Sequence, residues 1–186
     1  MAPPPPSLFF SLLMKPTLLL LLLAILATAS ATRAGDIALT IEIPRLEVAE
    51  YHRPYIAAWV ENADKAVVAN LAVWYDTEQP NAKGETWLKD MRQWWRKSGR
   101  SVKMPVDGVS GPSRPVGTHT ITIPAKTATL PPLSASSEYA LVVEASREVG
   151  GRELVRVPFK WDGKTAVEAE AKGTAELGKI KIALKP

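Results

Sequence analysis

The sequence predicts a mainly β protein: an antiparallel, immunoglobulin-like β-sandwich with one amphipathic helix, preceded by a signal peptide. Three observations lead there. Seven short segments carry strand-type patterns, several with strict apolar–polar alternation. Turn-forming residues separate them at sandwich-like intervals. Only one stretch repeats its apolar residues with helical spacing.

The chain has 186 residues, and its start reads as export machinery. Lys15 precedes an apolar run, Leu18 to Ala27, and small residues follow, with Ala-x-Ala patterns at Ala27–Ala29 and Ala29–Ala31. That is the layout of a secretory signal peptide. The run is shorter than the roughly 20 residues a spanning helix needs. We therefore assign residues 1–34 to the signal peptide, with 1–13 as an upstream extension if translation starts at Met14. Residues 35–186 form one domain, long enough to bury one substantial core.

The strands follow in order. IALTIEI (Ile37 to Ile43) puts four apolar residues on one face. YIAAWVE (Tyr55 to Glu61) and VVANLAVWYD (Val67 to Asp76) flank the turn-rich ENADKA, a hairpin pattern. THTITIP (Thr118 to Pro124) sets His119, Ile121 and Ile123 on one side. YALVVEASRE (Tyr139 to Glu148) and LVRVPFKW (Leu154 to Trp161) flank a turn at Gly150-Gly151. Arg147 with Glu144 and Glu148 reads as a charge cluster at the end of that hairpin. The stretch Lys164 to Gly178 is weakly patterned and reads as a hairpin arm or loop. KIKIAL (Lys179 to Leu184) closes the chain. The exception is Thr86 to Gly99, where Trp87, Leu88, Met91, Trp94 and Trp95 fall on one helical face, Thr86 is placed to cap and Gly99 to terminate.

Composition narrows the chemistry. Zero cysteines remove disulfides, thiolate nucleophiles and cysteine metal sites, and suit an oxidising compartment. Lys15 and Arg33 are the only charges before Gly35, so their removal takes the formal charge from +4 to +2. Without Lys/Arg tracts, that is no nucleic-acid footprint. Two histidines, far apart in sequence, do not make a histidine-rich metal site. No nucleophile elbow, phosphate loop or HExxH occurs. The expectation is a carrier or binding protein rather than an independent enzyme. All six tryptophans lie in the mature domain. Most read as core, with Trp94, Trp95 and Trp161 as candidate platforms for a flat ligand.

One loop stands out. DGVSGPSRPVG (Asp107 to Gly117) combines an acid, two hydroxyls, three glycines and two prolines. Such a segment is semi-rigid, extended and built of small residues. It offers Ser110 and Ser113, with Asp107 able to cap the turn and Arg114 able to pair with a phosphate.

Asp107-Gly108-Val109-Ser110-Gly111-Pro112-Ser113 resembles the acceptor motif for covalent flavin mononucleotide in exported bacterial proteins, Asp-x-x-Ser/Thr-Gly-Ala-Ser/Thr, with Pro112 in place of alanine. The resemblance implies Ser113 as the hydroxyl that a flavin transferase esterifies, with Asp107, Ser110 and Gly111 as recognition residues, Arg114 near the phosphate, and Trp94, Trp95 or Trp161 against the ring. A second resemblance spans Ile37 to about Leu184. YIAAWVEN, LAVWYD, WLKDMRQWW, DGVSGPSRPVGTHT and EYALVVEASREVGG are similar to a family of small predicted periplasmic bacterial proteins catalogued as a domain of unknown function. It implies a β-rich sandwich and an extracytoplasmic redox setting, beside flavin transferases and PepSY-type membrane reductases. Two functions are expected from these residues: a covalent-flavin carrier or accessory, or a non-catalytic module that contacts a membrane or periplasmic partner.

Overall fold

A computed structural model describes residues 1, 36–124, 133 and 137–186; the body of the expected signal peptide lies outside them. The described strands all fall in the unit Thr32–Pro186. They are β1 (Asp36–Ile43), β2 (Tyr55–Asn62), β3 (Val67–Tyr75), β4 (Ser110–Pro112), β5 (Gly117–Ile123), β6 (Ser137–Ser146), β7 (Arg152–Trp161), β8 (Val167–Lys172) and β9 (Lys179–Lys185). One sheet has the order β5-β1-β9-β8 and the other β4-β3-β2-β6-β7. Every pairing is antiparallel except β3 with β4. The seven expected strands are present. The two additional ones are β4, only three residues long and inside the glycine- and proline-rich loop, and β8, which turns the weakly patterned 164–178 stretch into a hairpin with β9.

The inner faces of the sheets meet in one core. Ile37, Leu39, Ile41 and Ile43 of β1 face it, as do Ile180, Ile182 and Leu184 of β9. From the other sheet come Ile56, Ala58, Val60, Leu141, Val143, Val157 and Trp161. Alternation in β1 and β9 follows directly, because their other faces meet water. β2 and β6 do not alternate. Both are central strands, and their second face is also buried, in a separate cluster of Ala57, Trp59, Val73, Tyr75, Ala140 and Val142 under Leu88, Met91 and Trp94. The fold is thus a sandwich with a third, helical layer on one sheet.

That layer differs from the continuous helix expected over Thr86 to Gly99. Pro80–Asp90 is an irregular 3₁₀ segment, with Asn81 and Ala82 in the left-handed region (both at φ 54°). The chain breaks at Met91, and a short α1 (Arg92–Lys97) follows. Thr86 lies inside the 3₁₀ segment and does not cap α1. Glu144 of β6 takes that role from across the layer. It accepts the backbone N–H of Gln93 at 3.1 Å and of Trp94 at 2.7 Å, and Arg152 Nη1 donates to it at 2.7 Å. Its residue exposure is 0%. A carboxylate at a helix start satisfies orphan N–H groups and complements the dipole. The helix break puts that start where Glu144 can reach it.

The far end of α1 is pinned in the same way. Glu61 of β2, also fully buried, accepts from Trp59 Nε1 at 2.8 Å and Arg156 Nη2 at 2.7 Å, with Lys97 Nζ at 3.1 Å. Between the two ends Trp94 lies against the sheet. Its indole N–H donates to Asn70 at 2.9 Å, and Asn70 donates to Ser98 at 2.8 Å. Gly99 packs on the Trp94 ring so closely that a Cβ would sit 2.5 Å from Cζ3. The helix itself ends at Lys97 with Ser98 as its C-cap, and Gly99, expected to terminate it, instead opens a short 3₁₀ turn (Gly99–Ser101) and makes room for the indole.

Removing one partner of a buried, hydrogen-bonded charge costs about 3–5 kcal/mol. We expect Glu144→Ala to lose about that much in urea unfolding, because Arg152 and two N–H groups lose their acceptor. A loss under about 0.5 kcal/mol, the range of ordinary surface substitutions, would refute the cap.

Candidate functional site

A cleft of about 910 Å³ opens beside the helical layer. One wall is the end of β3 with the chain after it, Tyr75 to Gln79, together with Trp87, Asp90 and Arg92. The other is the β6–β7 turn, Ser146 to Arg152, with His52, Arg53 and Tyr55. Pro112 and Ser113 complete the lining. The volume falls within the roughly 300–1,000 Å³ of small-ligand sites. Tyr55 and Tyr75 meet edge to face at 6.3 Å. Burial pushes both phenols above their ordinary pKa.

The Asp107–Ser113 motif enters this cleft by its end. Gly108, at φ 70°, makes the turn that a side chain would strain. Val109 is buried in the helical layer and anchors the loop. β4 then runs beside β3, pairing Ser110 with Val73, Gly111 with Trp74 and Pro112 with Tyr75. The two hydroxyls have different fates. Ser110 Oγ accepts the Val106 N–H at 2.9 Å. The Ser113 N–H donates to the Tyr75 carbonyl at 3.0 Å, while Ser113 Oγ is shielded from solvent and has no partner among the described residues. Asp107, expected to cap the turn, is exposed, and the Ser110 hydroxyl closes the turn instead. Arg114 lies over the Trp74 ring at 5.4 Å, its Nε buried and without a partner among the described residues, and His119 approaches the same ring edge-on at 6.0 Å. His119 also bonds the Pro115 carbonyl at 2.8 Å, tying β5 to the loop.

The opposite wall is held by carboxylates the sequence did not single out. Arg147 does not pair with Glu144 or Glu148. Its Nε and Nη2 fork onto Glu176 at 2.8 and 3.0 Å, and the Gly151 N–H donates to the same carboxylate at 2.8 Å. Glu144 is instead under α1, and Glu148 lies 3.7 Å from His52. Gly150 lets the guanidinium lie on the backbone, since a Cβ there would be 2.4 Å from Cζ. Glu176 is positioned in turn by Glu153, which collects the N–H groups of Thr174, Ala175, Glu176 and Leu177 at 2.6 to 3.1 Å. Burial alone would raise the Glu153 pKa, but these donors outweigh it and hold the carboxyl below its ordinary range.

The expected aromatic platforms need correction. Trp94 and Trp161 are each 1% exposed and built into the two cores, so neither has a free face. Trp95 is half-buried, leans on Trp94 at 6.3 Å and does not line the cleft. Trp87 does, at 37% exposure. Helical periodicity places it in the core, on one face with Leu88 and Met91; the 3₁₀ winding turns it outward.

A family model described as "Predicted periplasmic protein (DUF2271)" matches residues 36–179. The chain belongs to this family of periplasmic proteins of unknown function. Among the described residues no helix is long and apolar enough to cross a membrane. No curated protein and no solved structure matches the chain.

The Glu153 nest makes a signed prediction. Its folded pKa is depressed, so its stabilisation is present above the unfolded value of about 4.3 and is lost as pH falls through the folded value. We expect Glu153→Gln to lower the melting temperature at pH 7 and to flatten its fall below about pH 4.3. Parallel melting curves for both proteins across that range would refute the nest as the source.

Proposed function

We propose that this periplasmic domain carries flavin mononucleotide as an ester on Ser113 and serves as an electron carrier in an extracytoplasmic redox system. The observation that carries the reading is the division of labour in the motif. Ser110 Oγ is consumed by the turn, whereas Ser113, a lining residue of the cleft, has a buried Oγ with no hydrogen bond to lose among the described residues. Buried polar atoms are nearly always paired, so a buried hydroxyl with no partner among the described residues is a candidate for function. In this reading Ser113 is the point of attachment, and Arg114, the next residue in the chain, supplies a positive charge for the phosphoester. Flavin would supply reversible electron transfer.

The hydroxyl is out of solvent contact. Esterification therefore requires the segment after β4, whose Pro115 and Val116 are exposed, to swing away from Trp74 while a flavin transferase engages it. The Ser113 oxygen would then attack the flavin-side phosphorus of a flavin dinucleotide, the ester forming as the phosphoanhydride breaks, the nucleoside monophosphate leaving and the hydroxyl proton passing to the transferase. Pro112 has no N–H to lose and faces solvent at the end of β4, so it is compatible with that opening. A membrane reductase of the PepSY type is the class of partner that would exchange electrons with such a carrier.

The test is the intact mass of the mature protein, purified from its own periplasm or after co-expression with a flavin transferase. One flavin mononucleotide ester is expected, and Ser113→Ala should abolish it while Ser110→Ala lowers stability by about 1 kcal/mol, the value of one lost hydrogen bond. An unmodified mass, with the transferase shown to modify its own substrate, would overturn the reading in favour of a non-catalytic module that binds a membrane or periplasmic partner.

A further inference from the structure

We infer that Trp87 is the ring-stacking wall of the cleft, and that the ligand face it receives is the planar isoalloxazine of the flavin. This rests on the reading of Ser113 as acceptor and adds the residue that holds the ring.

Of the six tryptophans, Trp87 alone is exposed, and it faces the cleft that Ser113 also lines. Its placement is built rather than loose. Leu88, the next residue, is 1% exposed and fastens the 3₁₀ segment to the sheet. Gly84 lies so close to Asp76 that a Cβ would meet the Asp76 carbonyl at 1.9 Å, which locks the segment to the end of β3. Lys83 Nζ stands 5.9 Å from the centroid of the Trp87 ring. A large, fixed, partly exposed indole at the edge of a cleft is the arrangement that stacks on flat ligands. Ser113 is joined to the same wall through its N–H bond to the Tyr75 carbonyl, and Tyr75 shares the lining with Trp87. An electron-rich indole also suits the electron-poor oxidised ring of a flavin.

The experiment compares flavinylated wild-type protein with Trp87→Ala, Trp87→Phe and, as a control, Trp95→Phe. Indole stacking quenches flavin emission, so emission and its accessibility to iodide report the stacked fraction. We expect the ratio of unstacked to stacked flavin to rise about two- to tenfold in Trp87→Ala, the range set by one aromatic pair. Trp87→Phe should lie between, and Trp95→Phe should match wild type. Melting temperature checks that each variant is folded. Equal emission and iodide accessibility in Trp87→Ala and wild type would overturn the inference with the Ser113 reading intact. If wild type takes up no flavin, the Ser113 reading falls by itself. Free flavin mononucleotide titrated into the Ser113→Ala protein then tests the wall alone: Trp87-dependent quenching supports it, and quenching that survives Trp87→Ala, or none at all, overturns it.

Discussion

Glu144 is a charge in a place where water cannot reach it. Placing an ionised carboxylate there is costly unless donors surround it, and the donors nearby are the first N–H groups of α1 and the guanidinium of Arg152. That requirement locates the helix start, and with it the break at Met91 and the outward turn of the preceding 3₁₀ segment. Glu61 repeats the device at the other end of α1. Burial tends to raise the Glu61 pKa, but hydrogen bonds from Trp59, Arg156 and Lys97 prevail and hold it below the ordinary value. Apolar packing alone would allow the helical layer to slide over Trp59 and Val142. Two directional charges hold it in one position.

The same logic builds the far wall of the cleft. Glu153 gathers the turn between β8 and β9, that turn presents Glu176, and Glu176 holds Arg147 and the Gly151 N–H. A chain of carboxylates thus links the edge of one sheet to the β6–β7 turn of the other. It compensates for the absence of disulfides in a domain that works outside the cytoplasm. It also explains why the β6–β7 turn needs two consecutive glycines, each pressed against a charged side chain that a Cβ would displace.

Between these walls, the Asp107–Ser113 motif is anchored along most of its length. Val109 and Ser110 attach it to β3 and the helical layer, and Ser113 borders the cleft with its hydroxyl buried and without a partner among the described residues. The cleft itself is assembled from distant parts of the chain. His52 before β2, Tyr75 at the end of β3, Trp87 in the 3₁₀ segment and Gly151 in the β6–β7 turn share one opening.

Strands that face water on one side could be read straight from the chain, because period-two alternation is a direct record of one wet and one dry face. β1, β5, β7 and β9 and the hairpin at Gly150-Gly151 were legible for that reason, as was the Asp107–Ser113 motif, whose residues are consecutive. The remainder waited on packing. The apolar runs of β2 and β6 hid a third layer, because a strand buried on both faces has no period to read. Glu61 and Glu144, each set in such a run, were the available signal: a carboxylate there requires partners from outside the sheet. Trp87 and Trp94 share one helical stripe in the sequence, yet one faces the cleft and the other the core. Their directions depend on where the helix breaks, and the break is set by a carboxylate about fifty residues away in the chain.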